Sequence, residues 1–398
     1  MRKTVAIIGG GPSAFMLAAF LDPEKFAVTI YEKNKTAGRK FLVAGKGGFN
    51  LTHSEPVEQL IKKYTPSDFL AVPLLHFTNT DFRNWLDQIG ISTYVGSSKR
   101  VYPVKGIKPI EVLNAVLKHL EEKGVKFKYD HTFQNWDENR NPIINEQSIV
   151  ADVVVFCLGG ASWKVTGSTG DWLETFANNG VATTAFKASN CAYHTIWKTD
   201  FINKHEGSPL KNIAISCDDQ VQKGEAVITK SGLEGNAIYG LSPQIRKQLE
   251  ASSKAVVYID FKPMLTLEKV IEKLKQSIYS NTTRILKKEL KLSAAQLDLL
   301  YFHLTKEEYL TTTTLAQFIK KFPLEITDSS TIDEAISTIG GVSRNAVTQT
   351  FELKNKPNHY CIGEMLDWDA PTGGYLLQAC MSMGAYLSGV LNEEISNN

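Results

Sequence analysis

The stretch that decides the fold is Thr4-Val-Ala-Ile-Ile-Gly9-Gly-Gly11-Pro-Ser-Ala14, close to the start of the chain. Its first five residues are β-branched or small and apolar, which reads as a strand buried on both faces, as in a parallel sheet. They run straight into Gly9-x-Gly11-x-x-Ala14 and then into the helix-forming Phe15-Met-Leu-Ala-Ala-Phe-Leu21. A second strand, Ala27-Val-Thr-Ile-Tyr31, ends on Glu32. Strand, glycine turn, helix, strand and acid, in that order, are what a dinucleotide requires. Gly9 makes the tight turn, Gly11 lets backbone approach a pyrophosphate, and Ala14 lets helix lie close on strand. Pro12 and Ser13 open the helix, whose free N–H groups face the anion. Glu32 is placed to accept hydrogen bonds from ribose hydroxyls. Arg2-Lys3 before an apolar run is also how a secretory leader begins, but three glycines and Pro12 interrupt this run, so no leader is expected.

With 398 residues the chain is long enough for two or three domains around a large core. Lys plus Arg is 44 and Asp plus Glu is 42, and a net charge of +2 makes no electrostatic case for nucleic acid. The five cysteines (Cys157, Cys191, Cys217, Cys361 and Cys380) are scattered with no Cys-x-x-Cys, against structural zinc and a redox disulfide, so no metal is expected. An odd cysteine count and the lack of an uninterrupted membrane-length segment lead to the expectation of a reduced, cytoplasmic protein with no membrane partner. The apolar residues 375–391 carry Gln378, serines and glycines, and read as a buried helix.

After Glu32 comes a basic, glycine-rich loop from Lys33 through Gly38-Arg39-Lys40 to Gly45-Lys46-Gly47-Gly48-Phe-Asn50-Leu-Thr52-His53. Arg39 and Lys40 can neutralise a pyrophosphate, and the glycines with Asn50 let backbone lie against a flat ring. Residues 56–123 read as mostly helical, with one helix stopped by Gly90 and another between Pro109 and Gly124. Residues 125–129 and 149–150 bracket a small β excursion. Asp152-Val-Val-Val-Phe-Cys-Leu-Gly159-Gly160 is a second buried strand meeting a glycine turn, and Ser168-Thr-Gly170-Asp171 is expected to cap a helix ending near Gly180. From about Asn190 the pattern changes to alternating strands at 210–217, 226–229 and 255–261, and then to Lys-rich helices between 267 and 322.

The glycine-rich style returns at the end. Asn358-His-Tyr-Cys-Ile-Gly363-Glu364 is a strand ending in Gly-acid, and Asp367-Trp-Asp-Ala-Pro-Thr-Gly373-Gly374-Tyr375 opens the final helix. In two-nucleotide flavoproteins such a strand reaches the ribitol, and such a helix N-terminus favours the anionic reduced flavin. The plainer reading, a strand-helix unit closing an α/β sheet, holds for the same residues.

These motifs, together with Gly167-Ser-Thr-Gly170-Asp171 and Pro371-Thr-Gly373-Gly374-Tyr375-x-x-Gln378, resemble the BaiN-like NAD(P)/FAD-dependent oxidoreductase family of glutathione-reductase-type bacterial flavoproteins. The family is associated with a bile-acid-intermediate reductase and an aminoacetone oxidase. The resemblance covers residues 1–190 and 330–398 in motif order, and the middle only in architecture. It departs where many members read Gly-Gly-Gly-Arg-Cys-Asn and this chain reads Gly45-Lys46-Gly47-Gly48-Phe49-Asn50. The resemblance implies an α/β fold: a discontinuous Rossmann-like FAD domain (1–190 and 331–398) with an inserted β-rich subdomain (191–265) and a helical one (266–330). It implies that Gly9, Gly11, Glu32, Lys33, Gly38, Arg39 and Lys40 hold the ADP half of FAD. Phe133 would offer backbone to adenine. Gly159, Gly160, Gly363, Glu364 and Asp367 would line the diphosphate and ribitol. Gly45, Gly47, Asn50, Thr52, Gly373, Gly374 and Tyr375 would lie by the ring.

No second Gly-x-Gly-x-x-Gly follows a strand in mid-chain, so a dedicated NAD(P)H domain is absent and reduced nicotinamide, where used, must visit the flavin directly. Lys46, Asn50, His53 and Tyr375 are the candidate catalytic groups. Expected is hydride transfer on a small organic substrate by a monomer or homodimer, with an amine oxidase producing peroxide and a non-catalytic flavin sensor as the alternatives.

Overall fold

The apolar run at the start forms the strand Lys3–Ile8, with Val5, Ala6, Ile7 and Ile8 buried. It is the middle strand of a five-stranded, wholly parallel sheet ordered His359–Cys361, Val153–Phe156, Lys3–Ile8, Phe26–Tyr31, Lys126–Lys128. All four residues of Val153–Phe156 are buried too. Each fully buried Val or Ile contributes about 1.5–3 kcal/mol, so these two central strands anchor the unit. The helix Pro12–Phe20 is apolar all round, with Ser13 through Ala19 buried, because the last helix, Tyr375–Ser396, packs along it. At Gly384 the two backbones approach so closely that a Cβ would meet the Ser13 carbonyl oxygen.

This is a computed structural model, and it describes residues 1–43 and 48–396. The parallel sheet lies in a unit made of two stretches, Met1–Ala188 and Ile336–Asn398; Ser189–Ala335 form a second unit. The fold is a Rossmann-type α/β architecture with additional antiparallel sheets.

Within the first unit, residues 56–123 are less helical than their pattern predicts. The helices Val57–Ile61, Ala71–His76, Asn79–Gln88 and Pro109–Glu122 form, the third with a capping box between Thr78 and Asp81. Between the last two, however, Thr93–Val95 and Arg100–Pro103 are strands, and Thr52–His53 pairs with the second of them. Strands this short leave no periodicity to read; they pair with each other, and the third partner, Thr52–His53, is distant in the chain. A second small sheet comprises Phe133–Trp136, Pro142–Ile144 and Gln147–Ser148. Phe133 therefore opens a strand of that excursion, one element beyond the strand that follows Gly124-Val125. Asp171 stands before the helix Trp172–Asn178, but its side chain makes no cap hydrogen bond.

The second unit is built on a seven-stranded antiparallel sheet, ordered Phe322–Ile326, Ala255–Asp260, Pro209–Cys217, Gln220–Ile228, Gly232–Glu234, Tyr193–His194, Asp328–Ser329. Strict alternation in Ala255–Asp260 and Phe322–Ile326 buries one face of each strand. Helices Leu267–Lys275, Thr282–Glu289, Ala294–His303, Lys306–Leu310 and Thr312–Lys320 follow one another, four of them started by side-chain caps from Thr266, Asn281, Ser293 and Thr305. Among the described residues no helix is long and apolar enough to cross a membrane.

Candidate functional site

A cavity of about 350 Å³ opens at the carboxyl ends of the parallel strands and is lined by the glycine turn, Glu32, Phe133, Gly159 and Gly363-Glu364. That is within the range of small-molecule and cofactor sites, about 300–1,000 Å³. The three glycines of the turn have different reasons for being glycine. Gly9 has φ +104°, and a Cβ there would strike the Cys157 carbonyl, so the protein itself demands it. A Cβ on Gly10 would lie 3.1 Å from Glu32 Oε2. Gly11 has φ −111°, open to any residue, and nothing within 4 Å of the position its Cβ would take. Neither backbone nor neighbours require glycine at 11. The open face borders the cavity and leaves space for a ligand.

Glu32, at the end of its strand, is 8% exposed. Its Oε2 accepts from the Gly10 N–H at 2.8 Å, and its Oε1 accepts from the backbone and side-chain N–H groups of Asn34 at 2.8 and 2.6 Å. These bonds fix the carboxylate at the cavity wall and use three of its roughly four acceptor sites, leaving one on Oε2 for a hydroxyl donor. Asn34 in turn accepts from Arg39 (2.9 Å), whose other nitrogen donates to the Val165 carbonyl. Lys33 donates to Thr169. Arg39 and Lys33 thus tie the loop after Glu32 to the segment around residues 165–169.

At the other end of the cavity Lys40 Nζ donates to Glu364 (2.8 Å) and Ser162 (3.0 Å). A Cβ on Gly363 would come within 2.5 Å of Ser13 Oγ. Cys157 and Cys380 also line the cavity. Burial, reinforced by Glu364, pushes the Cys380 thiol up to about 12, so it is neutral. Pro12, Ser13, Gly38 and Gly159 line the cavity as well, whereas Ala14 is buried within the helix. The donor set, a turn left open at Gly11, a buried acid and a lysine, fits an ADP-containing dinucleotide such as FAD.

Other candidates lie elsewhere. Gly160 packs against Thr338, and Asp367 accepts from the Gly340 N–H and from Thr184. Thr52 is fully buried, bonded to Gln378 at 2.6 Å. Asn50 has a buried Nδ2 with no hydrogen-bond partner among the described residues. Gly45, Lys46 and Gly47 fall outside the described residues.

The remaining candidates meet in a second cluster around the start of the last helix. Gly373 and Gly374 have φ +124° and +96°, and a Cβ on Gly374 would lie 2.6 Å from Thr52 Cα. Tyr64 donates to the Tyr375 carbonyl, and the Tyr375 hydroxyl donates to Glu55 Oε1 at 2.7 Å. Burial, with Glu55 beside it, raises the Tyr375 phenol far above its usual value, so it stays protonated. The His53 ring stacks on Tyr375 (5.2 Å), and its Nδ1 lies 3.5 Å from the same Glu55 oxygen and accepts from the Glu55 N–H. Burial lowers His53, Glu55 opposes, and Arg100 lowers it further, so the imidazole is neutral at pH 7. Arg100 stands directly opposite His53 in the strand pair. Glu55 follows His53 in the motif without a role of its own there, and Tyr64 and Arg100 carry no signal in the sequence. Arg100 was hidden because only the pairing register puts it beside His53.

The HI0933-like protein Rossmann domain family matches residues 3–390. A ribosomal RNA dihydrouridine synthase of Haemophilus influenzae is 24% identical over 390 residues, 94% of each chain. A 3-dehydro-bile acid delta(4,6)-reductase of Clostridium scindens is 24% identical over 407 residues, 97% of this chain and 98% of that one. Among solved structures, the open conformation of a flavocytochrome c3 fumarate reductase superposes with a TM-score of 0.51 at 12% identity, covering 98% of this chain and 78% of that one, a likeness of fold alone. Because the family match runs through both stretches of the parallel-sheet unit and the unit between them, the chain belongs to the HI0933-like Rossmann-domain family, a family of FAD-dependent oxidoreductases.

Proposed function

We propose that this protein is a flavin-dependent reductase that adds a hydride and a proton across a carbon–carbon double bond conjugated with a carbonyl group in a small organic substrate. The observation that carries the cofactor half is Gly11, which lines the cavity at a helix start and whose Cβ position meets no atom of the described residues. The reductive half is supported by two relatives that span nearly the whole chain. One is named as a ribosomal RNA dihydrouridine synthase, dihydrouridine being a nucleoside whose uracil double bond is saturated, and the other as a 3-dehydro-bile acid delta(4,6)-reductase. A net charge of +2 favours the small substrate over RNA.

Bound in the cavity, FAD would supply two-electron hydride chemistry, with reduced nicotinamide as the proposed electron donor. Glu32 takes the ribose hydroxyls, and the N–H groups beside Gly11 take the pyrophosphate. Lys40 adds positive charge next to them. Glu364 takes the ribitol. Gly373 and Gly374 open the last helix, whose N-terminal end would face the flat ring.

The test is anaerobic stopped flow. Protein reduced with NADH or NADPH is mixed with cyclohexenone, an enone steroid, a uridine-containing RNA hairpin, or oxygen. The reading expects reoxidation by an enone faster than by oxygen. Fast reoxidation by oxygen alone would identify an oxidase, reaction with the RNA alone would refute the small substrate, and flavin that stays unreactive would identify a sensor.

A further inference from the structure

Among the described residues no carboxylate pairs with Arg100. It lies in the strand Arg100–Pro103, opposite His53, and is half-buried. Guanidinium is always protonated and presents a planar fork of N–H donors matched to oxygen acceptors. Among the described residues no ion pair and no side-chain hydrogen bond engages it. The nearby carboxylate, Glu55, is engaged by the Tyr375 hydroxyl and lies beside His53. Arg100 is held close to the helix start: a Cβ on Gly373 would be 3.6 Å from its Nε and 3.2 Å from the Tyr375 ring. Its charge is felt by both His53 and Tyr375, lowering each. Those two rings stack on one another and wall one side. The guanidinium thus stands between a glycine of the helix start and the stacked His53 and Tyr375 rings, with no acceptor among the described residues.

We propose that Arg100 is a catalytic residue that binds the carbonyl oxygen of the substrate and holds the negative charge that develops there. The proposal rests on the reductase reading. When hydride reaches the β-carbon, the double-bond pair shifts and the carbonyl π pair moves onto oxygen, giving an enolate. Arg100 donates to that oxygen, in the manner of an oxyanion hole. The enolate then collapses and the α-carbon takes one proton from water. One hydride and one proton are added, and nothing leaves.

The test uses the FAD-loaded protein and para-chlorophenol, whose anion places a charged oxygen on a flat ring as the enolate does. Bound against oxidised flavin, phenolates give a long-wavelength charge-transfer band, which reports binding without turnover. Wild type should develop the band, and Arg100→Met should weaken the affinity by about tenfold to a hundredfold, the range for losing one charge-assisted hydrogen bond. Arg100→Lys should fall between them. If Arg100→Met does not fold, the order Arg, Lys, Gln at this position reads the same quantity. Sulfite, which adds to the flavin ring itself, is the control, and its affinity should change less than that of the phenol. No band in wild type, equal phenol affinity in the variants, or parallel losses for phenol and sulfite would each overturn the assignment. Absence of FAD from purified wild type would refute the reductase reading instead.

Discussion

Gly9 and Gly11 separate two reasons for a glycine that a motif alone treats alike. Gly9→Ala forces a Cβ onto the Cys157 carbonyl at positive φ, and should destabilise the fold by about 1–3 kcal/mol. Gly11→Ala meets no protein atom and should leave the unfolding midpoint unchanged while lowering flavin content after purification. Retention of full flavin in Gly11→Ala would remove the dinucleotide from that face. Glu32→Ala should likewise release FAD, with a loss of stability from the Gly10 and Asn34 N–H groups left without their acceptor, about 1–3 kcal/mol each where buried. His53 gives a pH signature. Its folded value lies below the unfolded value of about 6.5. Below that pH the unfolded chain binds the proton and the folded one does not, so stability falls as pH falls until the folded value is reached. The slope is at most about 1.4 kcal/mol per pH unit. Burial lowers His119, His303 and His359 also, so the readout is the difference: urea unfolding of His53→Gln should show a shallower acid limb than wild type. Identical limbs would mean His53 already accepts a proton when folded.

At the scale of elements, the contact between Pro12–Phe20 and Tyr375–Ser396 links the two ends of the chain. Gly384 allows it, and Ser13, on the other side of that contact, also borders Gly363. Gly384→Ala must push the helices apart, at a cost of about 1–3 kcal/mol by overpacking. Because Ser13 lines the cavity, the same variant should bind FAD more weakly, although residue 384 does not line it. Calorimetry with and without added FAD checks both effects, and an unchanged melting temperature would show that the helices are looser than the structure has them. The short strands Thr93–Val95 and Arg100–Pro103 teach the opposite lesson. They were legible only as part of a helical region, because a strand of a few residues is selected by its partner and not by its own pattern.

At the scale of the molecule, a cavity lined by both Gly11 and Gly363 makes one binding event out of two distant pieces of sequence. Hydrogen exchange with and without FAD should show protection gained together at residues 9–13 and 362–364. Protection confined to the first would place the ligand off the second stretch. The sequence by itself determined the parallel sheet, the glycine turn and the acid after the second strand. Those features act through consecutive backbone: the strand aims the turn, the turn aims the helix, and side-chain types at fixed spacing suffice. Its other candidates were partly redistributed. Thr52, Gly160 and Asp367 do not line the cavity and contact Gln378, Thr338 and Gly340, since a motif residue near a ligand site in sequence can point to its protein neighbours as readily as to the ligand. Only the tertiary structure decided the company of His53 and Tyr375. Glu55 and Arg100 reach them through the register of a two-residue strand and the seating of Gly374 against Thr52. Contacts of that kind are set by packing between remote segments, and no local pattern encodes them.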